Sequence, residues 1–179
     1  VPSDLFHWLS FAAAGAMLAA AAWSDARYRR IPNSVVLAGC AAALGLSMAP
    51  GGIGPGHALA GMATGFAALL PMYLMRVTGA GDVKLMAATG AFAGFPGAVG
   101  VVLLTLVAGG VLSIAYALYL RQSGAVFRNL RTALILVMAD IGARRLPRAD
   151  SLPTVRARIP YALAIATGAI VHSWLVNAR

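Results

Sequence analysis

Apolar residues run through this chain in long stretches, and the charged residues gather at their ends. A bilayer-spanning helix needs about 20 apolar residues. Leu5 to Trp23 predicts a first span, Val35 to about Ile53 a second closed by the turn Pro50-Gly51-Gly52, and His57 to Met75 a third. Within the third, Gly61 and Gly65 have the small-xxx-small spacing that lets two helices approach closely. Ala98 to Leu120 predicts another span, and Pro160 to Val176 a last, shorter one.

Val83 to Gly94 is apolar too, but at about 1.5 Å per residue it cannot cross about 30 Å of hydrocarbon before Phe95-Pro96-Gly97 interrupts it. Either the helix runs on through Pro96, or its start is sunk below the membrane surface. The second solution is preferred. It places Gly79 to Asp82 in a loop inside the membrane envelope, where irregular backbone must be buried by protein or line a wet cavity. The pattern therefore predicts an all-α polytopic bundle of about six spans, one domain over residues 1–179, with a membrane-embedded loop.

Composition agrees. The chain is 60% hydrophobic and only 11% charged, against about a quarter charged in a soluble domain. A net charge of +9 would suit nucleic acid, but the basic residues are interleaved with apolar runs, so anionic lipid headgroups are the nearer partner. The lone Cys40 excludes an internal disulfide and a cysteine-built zinc site. The small residues Ala19 to Ala22 could mimic a signal-peptide cleavage site, but no basic region precedes this run and arginines follow it, so it reads as a span.

The basic residues orient the bundle. Thirteen of the fourteen fall on one side: Arg27, Arg29 and Arg30; Arg76 and Lys84; and eight arginines from Arg121 to Arg158. By the positive-inside rule that side is cytoplasmic, with both termini outside. In the long basic connection, Ala133 to Ala139 reads either as an interfacial amphipathic helix or as a packed loop helix.

Acids are scarce: five aspartates and no glutamate. Two of them, Asp25 and Asp82, share the cytoplasmic end, and an ionisable residue at a membrane edge is expensive unless something uses it. Two carboxylates brought together cannot both ionise cheaply, so one keeps a proton beside a base. Such a pair can activate a water and protonate a leaving amine. Gly79 and Gly81 leave room for backbone-to-backbone pairing with an extended peptide, and Lys84 is placed to hold an acidic group or shape the loop. His7, His57 and His172 lie at the outer ends. No metal-ligand cluster, HExxH or nucleophile elbow is present, so no metal and no cofactor is assigned. Taken singly, each aspartate is a solvated flank and Gly-x-Gly-Asp an ordinary turn; their joint occurrence on one side carries the reading. A small proton-coupled carrier and a non-catalytic assembly subunit remain as alternatives.

Asp25 with the basic stretch and Ile31-Pro32-Asn33, and then Gly79-Ala80-Gly81-Asp82-Val83-Lys84, resemble the type IV prepilin peptidases. These are membrane aspartyl proteases of the Gly-x-Gly-Asp class. The resemblance runs from Leu5 to Val176 and implies that Asp25 and Asp82 are the catalytic pair. The implied substrate is a prepilin or pseudopilin precursor, cut where its short basic leader meets an apolar helix, in the setting of a pilus or secretion machinery. Long family members carry a cytoplasmic insertion with paired Cys-x-x-Cys motifs and methylate the new N-terminus. This chain has neither motif, so it looks like the short, peptidase-only form found with tight-adherence (Flp-type) pili, and methyl transfer is not expected.

Overall fold

The computed structural model describes residues 3–75, 77–119 and 161–178, with isolated positions at 132, 135 and 138. Apart from positions 135 and 138, the expected helix at Ala133 to Ala139 lies outside the described residues, as do the arginines from Arg121 to Arg158. Among the described residues the helical elements are α1 (Ser3–Tyr28), α2 (Asn33–Ser47), α3 (Pro55–Leu74), α4 (Ala80–Ala93), α5 (Gly97–Tyr119) and α6 (Tyr161–Asn177). Among the described residues there is no strand. The protein is an all-α membrane protein.

Phe6–Tyr28, Pro55–Leu74 and Gly97–Tyr116 are long and apolar enough to cross a bilayer; Asn33–Ser47 and Tyr161–Val176 are apolar but shorter. Two boundaries differ from those expected. Helix α1 does not stop at Trp23. Its charged last turn stays helical to Tyr28, and Arg29, at a left-handed φ of 54°, then turns the chain. Helix α2 stops at Ser47 rather than near Ile53. There the Ser47 hydroxyl donates to Leu44 O, and the backbone folds back with Gly54 N donating to Ser47 O.

Helix α4 sits at the centre. Val83 and every residue from Leu85 to Ala91 are buried, because each of the other described helices packs on it. Only Lys84 breaks this run, and it is exposed. The closest partner is α3. Gly61 lies against Gly90 O and Gly65 against Met86 O, so the expected small-xxx-small face is the crossing point. The shared core includes Met17, Leu18 and Ala21 from α1, Val36 from α2, Leu69 from α3, Val101 and Val102 from α5, and Ile165 from α6.

The same register sets the level of Asp82. Helices α3 and α4 run antiparallel, and counting on from the Gly61–Gly90 and Gly65–Met86 contacts puts Leu69 level with Asp82. Helix α3 then continues five residues to Leu74, or about 7 Å. At 14 residues α4 is about 21 Å long and does not span; it ends at Gly94 (φ 64°), before Pro96, rather than running through it. Its start lies short of the end of α3. Outward-facing apolar side chains such as Leu37, Leu59, Leu103, Val107 and Ile170 are exposed, as a helix facing lipid requires.

Candidate active site

The chain direction brings three helix ends together. Helix α1 finishes at the end of the bundle where α4 and α6 begin, which puts Asp25 in the last turn of α1, Asp82 in the first turn of α4 and Tyr161-Ala162 at the start of α6 at the same end. Asp25 is half-buried, and its Oδ2 accepts the backbone N–H of Ala162 at 3.3 Å. An N–H at a helix start is one of the donors the helix cannot satisfy internally, and its positive end favours a carboxylate.

Asp82 is held differently. Its Oδ2 accepts the Gly79 N–H at 2.9 Å, so the third residue of α4 caps the helix it belongs to. Loss of water around the carboxyl raises its pKa from 3.8 to about 6; the Gly79 hydrogen bond opposes the shift, and the charge of Asp25 adds to it. The two acids are therefore close enough to feel one another. The Asp82 charge also reaches the Tyr161 hydroxyl, whose ring packs over Gly109 of α5.

The glycines act through close approach rather than unusual dihedrals. Gly79 is extended (φ −83°, ψ 156°), a conformation open to any residue. It is exposed, and a Cβ there would meet Asp82 Oδ2 at 3.3 Å. Gly81 is covered by Ile31, whose Cβ would lie 3.2 Å from an added methyl group. Lys84 points to the α1–α2 turn, its Nζ donating to Asn33 Oδ1 at 3.1 Å. Replacing Gly81 with valine is expected to push Ile31 away and lower activity about tenfold or more, whereas Gly81→Val/Ile31→Ala recovers part of it; a cleavage assay on both variants checks this.

The histidines lie elsewhere. His57 Nδ1 bonds to Phe95 O at 2.9 Å at the opposite end of α4. His7 and His172 line a cavity of about 240 Å³ with Ser47, Thr89 and Phe92, also at that far end. Tyr161 and the Ala162 N–H were not legible as site components, and Asn33, part of the Ile31-Pro32-Asn33 motif, was not legible as the partner of Lys84. Each comes from an element remote in sequence, and no local periodicity links them to Asp82.

Residues 12–114, more than half of the chain and including both aspartates, match the model of the type IV leader peptidase family. The chain belongs to that family. A search of curated proteins and a search of solved structures return no match. As a type IV leader peptidase-like protease this protein is a hydrolase, and its apolar helices make it one that works in a membrane.

Proposed function

We propose that this leader peptidase is an aspartyl endopeptidase of the prepilin type, with Asp25 and Asp82 as its catalytic pair. The observation that carries the reading is that both acids lie at one end of the bundle, Asp25 bonded to the start of α6 and Asp82 in the first turn of α4, near enough for the charge of Asp25 to act on Asp82. Their surroundings divide the labour. Asp25, whose Oδ2 accepts the Ala162 N–H, takes a proton from the attacking water. The desolvated Asp82 keeps its proton and delivers it to the departing amine. Water oxygen bonds to the scissile carbonyl carbon, the C–N bond breaks, and the two protons move through the pair.

The substrate is a pilin-like precursor. Its basic leader stays on the cytoplasmic side of the bacterial inner membrane, its apolar helix lies in the bilayer, and the scissile bond sits where the two meet. The exposed Gly79 offers backbone beside Asp82 for an extended peptide to pair with. Helix α1 then begins and α6 ends on the periplasmic side, and the enzyme serves a tight-adherence pilus or a related secretion machinery. The test is coexpression with a precursor of this design: a new N-terminus at the leader–helix junction, read by mass spectrometry, supports the reading, and an uncut precursor refutes it.

The pH dependence has a definite sign. Asp82 donates only while protonated, so the cleavage rate should fall as pH rises through about 6. The folded state also holds this proton to a higher pH than the unfolded chain. Its contribution to stability is therefore full below pH 3.8 and is lost as pH rises through about 6. A rate that climbs steadily from pH 6 to 9 in proteoliposomes would contradict the assignment.

A further inference from the structure

Asp25 and Asp82 belong to different helices, so their separation depends on whatever ties the end of α1 to the start of α4. The turn between α1 and α2 makes that tie at three places. Ser24 Oγ, next to Asp25, donates to Arg30 O at 2.7 Å and folds the turn back on α1. Ile31 seats its side chain on Gly81, one residue before Asp82. Asn33 Oδ1 accepts from Lys84 Nζ at 3.1 Å, two residues after Asp82. The last two contacts bracket Asp82 from either side, and the first anchors the same turn beside Asp25.

We infer that the Lys84–Asn33 hydrogen bond, with Ile31 seated on Gly81, is a clasp that sets the spacing of the two aspartates. Lys84 and Asn33 are thus positioning residues rather than contacts to substrate. This rests on the reading of Asp25 and Asp82 as the catalytic pair. Lys84 is exposed and on the second turn of α4, while Asp82 is on the first, so the ammonium acts on the turn that holds α1 and not on the carboxylate. Without the clasp nothing else among the described hydrogen bonds joins this turn to α4. A displacement of about 1 Å in reacting groups can cost about a hundredfold in rate.

The test is a double-mutant cycle in proteoliposomes on a reporter with a short basic leader fused to an apolar helix. Lys84→Met and Asn33→Ala are each expected to lower kcat about 10- to 100-fold with KM changed less than about twofold. The double variant should be no worse than either alone, and Lys84→Arg should recover much of the rate. Because Asn33 is exposed at a helix start, its alanine variant remains a usable probe if Lys84→Met does not fold. A raised KM with normal kcat for Lys84→Met, or a silent Asn33→Ala, would overturn the clasp, as would effects that multiply in the double variant. Asp25→Asn and Asp82→Asn run in the same assay separate the two failures. Active aspartate variants remove the catalytic pair itself, whereas dead ones beside normal clasp variants remove the clasp alone.

Discussion

Replacing Asp82 with asparagine is expected to abolish precursor cleavage, with a loss of roughly a thousandfold or more, while the protein stays folded in the membrane. Asparagine keeps the shape and can still accept the Gly79 N–H, so helix α4 retains its cap. What it loses is the proton. An amide cannot give one to a leaving amine, nor exchange one with its neighbour. Asp25→Asn should be equally severe for the complementary reason, since an amide oxygen is too weak a base to activate water. The two losses should not add, because one partner without the other has no function left to lose. Mass spectrometry of a coexpressed precursor measures the effect. Normal processing by either variant would leave the pair without a role.

The second large effect concerns packing. Gly61→Val is expected to destabilise the protein by about 1–3 kcal/mol, towards the upper end, and so to lower its unfolding temperature by several degrees. A Cβ at position 61 would run into Gly90 O and approach Gly94 Cα at 2.9 Å. Both are backbone, so no side chain can swing aside, and α3 and α4 must separate. Because α4 carries Asp82 on its first turn, the shift should also reduce activity. Gly56→Val makes a fair control, since nothing lies within 4 Å of its added methyl. Heat-induced loss of monodisperse protein in mild detergent reports the difference, and equal resistance of the two variants would mean the helices are not in backbone contact.

Much of this architecture was written locally. The Gly61/Gly65 spacing marks the α3–α4 crossing, because small residues four apart share one helix face. The shortness of the apolar run after Asp82 marks a helix that begins below the end of its neighbour. The shared end of Asp25 and Asp82 follows from counting spans between basic clusters, a count that survives errors in individual helix ends. The error at α2 shows why: apolar residues from Met48 to Ile53 look like more helix, yet Pro50, Gly51 and Gly52 let the backbone turn early. The remainder was not legible. The Lys84–Asn33 bond joins residues 51 apart, and the Ala162–Asp25 bond residues 137 apart. Neither has any period for a sequence pattern to reveal. For the same reason Gly81 suggested a free backbone, when its missing side chain in fact makes room for Ile31.

The most direct test of the central claim is the distance between positions 25 and 82 in the membrane. Spin labels on Asp25→Cys and Asp82→Cys, in a Cys40→Ala background, give it by pulsed electron paramagnetic resonance in liposomes. The account predicts one short separation, well under the roughly 30 Å thickness of the hydrocarbon layer. A separation equal to or beyond that thickness would put the two acids at opposite ends of the bundle and contradict it.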